Sequence, residues 1–233
     1  MRYALYFVPD PTSSLWAFGS SVLGYDSQAG VDVPLPSIAL FREASARDMT
    51  AAARTYGFHA TLKAPFELVA GCHERDLIEA VQGFAVRRSP VPIGRLAVCI
   101  LGKFCALVPE AEQPAGLTQF GAACVEMFDH FRAPLTAADR ARRITPQTSA
   151  AERANVEKWG YPYVFDTWRF HMTLSGPLPD HQRQRFRDAV SGLYAPISAS
   201  VSIDAVALCV QPSRDQRFKV LNRFALRGRS DQP

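Results

Sequence analysis

Residues Tyr56-Gly-Phe-His-Ala-Thr-Leu-Lys63 and Arg169-Phe-His-Met-Thr-Leu-Ser175 carry one shared core, Phe-His-x-Thr-Leu, 112 positions apart. Polarity alternates through both. Phe58, Ala60 and Leu62 fall on one side of the first stretch, and His59, Thr61 and Lys63 on the other. In the second, Phe170, Met172 and Leu174 oppose Arg169, His171, Thr173 and Ser175. A period of two marks a strand with one apolar and one polar face. Pro65 and Pro177 close the two strands, because proline has no N–H to give a ladder.

The similarity continues outward. Glu79-Ala-Val-Gln-Gly-Phe84 matches Asp188-Ala-Val-Ser-Gly-Leu193 at an offset of 109, and Ala97-Val-Cys-Ile100 matches Ala207-Leu-Cys-Val210 at 110. Three blocks in one order at nearly one spacing describe a duplicated unit of strand, helix and hairpin; two copies are too few for a solenoid. The spacing predicts helices over His73–Val86 and Pro179–Leu193. It predicts hairpins from Leu96–Ile100 with Phe104–Val108, and from Val201–Val210 with Arg217–Leu226. The polar tip between the last two, 211–216, is placed to overhang a cleft. Outside the repeat, Tyr3–Val8 reads as a further strand. Arg42–Tyr56 reads as a helix closed by Gly57, and Gly19–Pro36 as loop. Ser149-Ala-Ala-Glu152 is a capping box that opens a helix running to about Trp159. The expected fold is α+β and two-lobed: two antiparallel sheets, helices outside, and a central cleft on a pseudo-two-fold axis. It forms one domain over 1–233, with a first lobe at about 1–133, a connector at 134–168 and a second lobe at 169–233.

Composition sets outer bounds. Hydrophobic residues are 48% and charged residues 21% of 233, which excludes disorder, collagen and coiled coil as the main architecture. The net charge of +4 is mildly basic, with 22 Arg against 4 Lys. It permits an anionic substrate without demanding one, and base composition of the gene gives the same bias. Five cysteines without C-x-x-C spacing read as reduced thiols, hence a cytoplasmic protein. No apolar run approaches a membrane span or a signal peptide.

The paired motif carries the chemistry. Residues i and i+2 of a strand share a face, so His59 with Thr61 and His171 with Thr173 present two imidazoles and two hydroxyls to one groove. Imidazole is the side chain that exchanges a proton near neutral pH. One neutral and one charged ring satisfy general base and general acid together. Hydroxyls and nearby cations hold phosphoryl oxygens as charge builds. In-line cleavage of a phosphodiester asks for that array, and neither a metal nor another cofactor is expected. H-E-x-x-H, H-x-H, G-x-S-x-G and G-x-x-x-x-G-K-[ST] are all missing, which speaks against zinc hydrolysis, a serine nucleophile and nucleoside triphosphate chemistry. By strand parity Lys63, Arg169 and Ser175 join the groove. Tyr56, Tyr161 and Tyr163 either meet a substrate or pack among themselves. Arg142 and Arg143 read as a solvated helix face.

At these residues the chain resembles the two-histidine phosphoesterase superfamily, which is built on two His-x-[Ser/Thr]-x motifs over a duplicated α+β fold. Longer strings are similar to the branch encoded in phosphonate-utilisation operons: Arg2-Tyr-Ala-Leu-Tyr-Phe-Val-Pro9, Tyr56–Phe66, Trp159-Gly-Tyr-Pro-Tyr-Val164 and Phe170–Gly176. The resemblance implies that His59 and His171 are the acid/base pair, either one the base, and that Thr61 and Thr173 are phosphate ligands. It implies a small phosphorylated substrate, first of all a cyclic ribose phosphate diester. RNA ends bearing 2′,3′-cyclic phosphate, or 2′–5′ linkages, are the alternative substrate. A sensor that binds a phosphorylated metabolite without turnover is the alternative role.

Overall fold

The two Phe-His-x-Thr-Leu segments are neighbouring strands at the centre of an eight-stranded antiparallel sheet. A computed structural model describes residues 1–42 and 45–228. The strands are β1 (Arg2–Phe7), β2 (Tyr25–Asp26), β3 (Val31–Asp32), β4 (Ala60–Phe66), β5 (Val91–Leu101), β6 (Phe104–Pro109), β7 (Met172–Thr173), β8 (Ser200–Ile203), β9 (Ala205–Gln211) and β10 (Lys219–Ala225). The helices are α1 (Ser14–Leu23), α2 (Ala46–Arg54), α3 (Glu74–Val86), α4 (Ala115–Met127), α5 (Ala137–Arg143), α6 (Ala150–Trp159) and α7 (Asp180–Tyr194). The sheet order is β10-β9-β1-β4-β7-β6-β5-β8, and β2 and β3 form a separate ribbon. The fold is thus α+β, with two four-stranded antiparallel halves joined edge to edge at β4 and β7. Among the described residues no helix is long and apolar enough to cross a membrane.

The seam is narrow: Ala60 pairs with Met172, and both side chains are buried. That places His59, Thr61, His171 and Thr173 on the opposite face of the sheet, on either side of one pseudo-two-fold axis. Outward from the seam, β5 and β9 take the same third position in their halves, as the Ala97 and Ala207 blocks predict. The halves nevertheless exchange hairpins. β5 and β6 stand with β7, while β9 and β10 stand with β1 and β4. Lobes contiguous in sequence, 1–133 and 169–233, therefore do not coincide with the halves of the sheet. The slot beside β4 is filled by β1, a strand outside the repeat.

Helices cover the halves through apolar stripes. α3 buries Leu77, Val81, Phe84 and Ala85 against β9 and β10. α7 buries Phe186, Val190 and Tyr194 against β5 and β6. The 3.6-residue period makes these stripes, and burying each large side chain stabilises by about 1.5–3 kcal/mol. The capping box at Ser149 and Glu152 opens α6, and Gly160 closes it at φ +75°. Four sequence expectations need correction. Pro65 does not close the first motif strand, because β4 runs on to Phe66, which pairs with Tyr3. Gly19–Pro36 is not all loop, because α1 runs to Leu23, started by the Ser13 hydroxyl and stopped by Gly24. The helix expected over 42–56 is shorter, Ala46–Arg54, and part of the expected span, 43–44, lies outside the described residues. The strand expected over 201–210 breaks at Asp204, where the chain crosses between halves.

Two features fix the first motif from behind. A Cβ at Gly19 of α1 would stand 2.1 Å from the Phe58 ring, so only glycine lets that buried ring seat beside the helix. Trp168 donates its indole N–H to the Thr61 carbonyl at 2.9 Å, tying the approach to β7 onto β4.

Candidate active site

His59, Thr61, His171 and Thr173 line one cleft of about 370 Å³ over the seam, a volume suited to a small molecule. The two imidazoles are oriented alike. His59 Nδ1 lies 2.9 Å from the Gly57 carbonyl, and His171 Nδ1 lies 2.9 Å from the Arg169 carbonyl. A carbonyl only accepts, so each Nδ1 carries a hydrogen, and each neutral ring keeps its lone pair on Nε2. In both copies the accepting carbonyl is two residues upstream. At the first, Gly57 sits at φ +75°, and a Cβ there would stand 2.6 Å from Ser27, so this turn requires glycine. His59 Nε2 is 3.2 Å from Thr61 Oγ1.

The rings differ in their surroundings. Buried Tyr6 stacks on His59 with centroids 3.7 Å apart and 27° between planes. Burial disfavours the imidazolium and, against the pull of the Gly57 carbonyl, draws the His59 pKa down to about 4. His171 has the tilted ring of Phe104 beside it at 5.9 Å. A second, shallower depression of about 230 Å³ runs from His59 and Thr173 past Phe104 to Pro177.

Of the other residues singled out in the sequence, two reach the cleft. Tyr56 and Tyr161 are part of its wall, Tyr56 stacked on Phe218 and Tyr161 with its hydroxyl pKa raised to about 12 by burial. Lys63, Arg169 and Ser175 do not serve as parity suggests, and Tyr163 packs on another tyrosine instead of lining the cleft. Lys63 is 3% exposed; its Nζ donates to Asp129 at 2.9 Å and to the Val125 carbonyl at 3.1 Å. The cause is a pair of register shifts between β1 and β4, one of them between the Thr61 and Lys63 pairings. They break the alternation, turn Lys63 towards α4 and bring Ala64 to the cleft instead. Arg169 donates to the carbonyls of Asp166 and Trp168, so its contribution to the site is its own carbonyl, not its guanidinium. Tyr163 stands edge-on to Tyr161, 49% exposed, outside the cleft wall. Ser175 borders the shallower depression, but its hydroxyl is committed, accepting from Cys105 N–H and donating to the Gly176 carbonyl.

The cleft also holds residues that sequence reasoning missed: Tyr6, Arg2, Asp139, Arg142, Arg143 and Arg214. Arg142 is exposed, as a solvated helix face implies, and Arg143 is half-buried, yet both border the cleft. The connector carries them, with Asp139, on α5 into the cleft wall. Arg214 arrives on the polar tip between β9 and β10, whose overhang the sequence did signal. Against the push of burial, the Thr136 hydroxyl, Arg142 and Arg214, the last 3.0 Å from both Asp139 oxygens, hold the Asp139 carboxyl below the usual range. Among the described residues no three His, Cys, Asp or Glu side chains gather as metal ligands.

The family model described as "Protein of unknown function (DUF1045)" matches residues 61–219, and the chain belongs to that family. The matched stretch begins at Thr61 and includes the whole second motif. Among individual proteins, the chain is 33% identical over 238 positions to the ribose 1,5-bisphosphate phosphokinase PhnN of Janthinobacterium sp. (strain Marseille), covering 99% of this chain and 52% of that protein. It is 32% identical over 225 positions to the protein of the same name from Laribacter hongkongensis (strain HLHK9), covering 94% and 50%. The chain thus spans about half the length of these curated relatives. The solved structure of TT0787 from Thermus thermophilus superposes with a TM-score of 0.47 at 13% identity, over 99% of this chain and 100% of that one.

Proposed function

We propose that the chain is a two-histidine phosphodiesterase that opens a small cyclic phosphate ester of a ribose-type sugar, with no metal in the reaction. The observation that supports this best is the matched pair of imidazoles. Both are tied through Nδ1 to the carbonyl two residues upstream, and both share one cleft with two threonine hydroxyls and four arginines.

In this reading His59 is the base, since burial keeps its ring neutral. Its Nε2 takes the proton of a water molecule as that oxygen bonds to phosphorus. The bond from phosphorus to the leaving ring oxygen breaks on the opposite side, and His171 gives that oxygen a proton from Nε2. The product is a phosphomonoester with one free hydroxyl, and solvent resets both rings. Thr61 and Thr173 donate to the non-bridging oxygens, and the arginines stabilise the charge gathering there. α5 and the 211–216 tip wall the cleft with Arg142, Arg143 and Arg214, which favours a compact substrate over a strand of RNA.

The relatives' name fits beside this reaction. Ring opening of a ribosyl cyclic phosphate yields a ribose phosphate, the class of compound a ribose bisphosphate kinase consumes. This chain has no G-x-x-x-x-G-K-[ST] loop, so we assign the kinase step to the part of those relatives that lies beyond this chain.

The test is turnover of ribose 1,2-cyclic phosphate, followed by phosphorus NMR in EDTA. The wild-type chain is expected to release the monoester, and His59→Ala and His171→Ala to lose about 100-fold or more of kcat. Wild-type turnover retained by both variants would contradict the assignment.

A further inference from the structure

The cleft holds more positive charge than a cyclic diester needs. A cyclic phosphodiester carries one negative charge, and the two motifs already provide two hydroxyls and two imidazoles for it. Yet four guanidinium groups line the same cavity against a single carboxylate, Asp139. Asp139 occupies two of them, Arg142 and Arg214.

Neither of the other two makes an ion pair among the described residues. Arg2 donates to the neutral side-chain oxygen of Gln211. Arg143, half-buried, donates to the Pro65 carbonyl at 3.2 Å and stands 5.7 Å from the Tyr161 ring centre. Burial disfavours the Arg143 charge; Asp139 lies close enough to offset part of that cost, while Arg2 and Arg132 oppose it. Two like charges held near each other and partly out of water are unfavourable unless an anion joins them. Planar guanidiniums are also the groups that fit phosphate oxygens in pairs. The placement is built rather than incidental. Arg2 comes from β1, Arg143 from the connector helix α5 and Arg214 from the β9–β10 tip, and Asp139 ties the last of these to α5.

We propose that Arg2 and Arg143, flanked by Arg142 and Arg214, form a second anion subsite that takes a terminal phosphomonoester of the same substrate. The substrate class is then a sugar cyclic phosphodiester that bears a separate, dianionic phosphate group. This rests on the phosphodiesterase reading and extends it. A monoester is close to doubly charged above its second pKa, near 6, which answers the surplus in the cleft. Ring opening of such a ribose derivative gives a ribose bisphosphate.

The test pairs ribose 1,2-cyclic phosphate with its 5-phosphorylated form. Wild type is expected to prefer the 5-phosphorylated ester by about 100-fold or more in kcat/KM, mostly through KM, the effect of one or two charge-assisted contacts. Arg2→Gln and Arg143→Gln are each expected to reduce that preference about tenfold, with the thermal midpoint measured alongside as a check on folding. Equal turnover of the two esters by wild type would overturn the subsite and leave the phosphodiesterase reading standing. Turnover of neither would overturn the phosphodiesterase reading. The subsite is then judged by calorimetric titration with ribose 1,5-bisphosphate and ribose 1-phosphate: tighter binding of the bisphosphate, lost in Arg143→Gln, supports it, and equal binding overturns it. A steep salt dependence with preferred binding of a short oligonucleotide carrying a 2′,3′-cyclic end would also overturn it, in favour of a nucleic-acid track.

Discussion

The first and second motif strands share a sequence and a hydrogen bond to the carbonyl two residues upstream, and then part company. At positions 59/171 and 61/173 both copies keep His and Thr, and all four residues line the cleft. At 63/175 the copies hold Lys and Ser, and both side chains have left the cleft for structural work. Lys63 pairs with Asp129 beneath α4, and Ser175 bridges Cys105 and Gly176 between β6 and the end of β7. Both sets of residues stand at equivalent places in the two repeated segments. What separates them is whether the strand still turned each position towards the cleft. The imidazoles diverge more subtly: Tyr6 stacks on His59, while Phe104 lies tilted beside His171. A symmetric pair has thereby acquired two environments, which is what acid and base need.

The sharpest way to break that comparison is to delete the shared residues. His59→Ala and His171→Ala are each expected to lower kcat by about 10²–10⁴-fold. The double variant should lose little more than the worse single one, because residues that act as a unit are not additive. Losses that multiply in steady-state kinetics would mean the two rings act separately.

The diverged residues should move stability rather than turnover. Lys63→Met leaves the Asp129 carboxylate with Arg132 alone and is expected to cost about 3 kcal/mol in denaturant unfolding. Ser175→Ala removes the acceptor of a buried N–H and is expected to cost about 1–2 kcal/mol. A rise in KM for the cyclic ester in either variant, with stability unchanged, would return that residue to the binding site.

Much of this was legible in the sequence, and the missing part has physical causes. The duplicated motif, its strand character, α3, α7, the capping box of α6 and the two hairpins all come from local patterns, where period and turn chemistry speak directly. Which hairpin joins which half is a non-local pairing, and no local pattern encodes it. The loss of Lys63 from the cleft follows from register shifts against β1, and register is settled by the partner strand. Arg2, Arg143 and Arg214 lie far apart in the chain, Arg2 at the head of an apolar run and the other two in polar segments. Their convergence depends on how the connector and the 211–216 tip fold back. Tyr6 sits in an apolar run that reads simply as core. The cluster of polar residues in that tip and the Arg-rich end of α5 were the available signals, and both were weak.

The smallest predicted effect concerns pH. If His59 is the base, as proposed, its pKa of about 4 should let activity persist well below the imidazole range, and Tyr6→Leu should move the acid limb of kcat/KM upward by about one pH unit by opening the ring to water. The same shift bears on stability. The folded value is below the unfolded one, near 6.5, so between them the unfolded chain binds more protons. This contribution is therefore undiminished above about 6.5 and weakens as pH falls towards 4. Urea unfolding at pH 7 and pH 4.5 should show a loss that shrinks in His59→Asn. An acid limb at or above 6.5 in the wild-type chain would contradict the assignment of His59 as base.

The central claim is that one phosphoryl group sits between two imidazoles related by the seam of the sheet. A crystal structure with orthovanadate, or with a non-hydrolysable cyclic phosphate, tests it without intermediaries. The account predicts an anion whose oxygens lie within hydrogen-bond distance of His59 Nε2, His171 Nε2 and both threonine hydroxyls. An anion bound by one histidine alone, or held elsewhere on the molecule with the seam left to water, would contradict it.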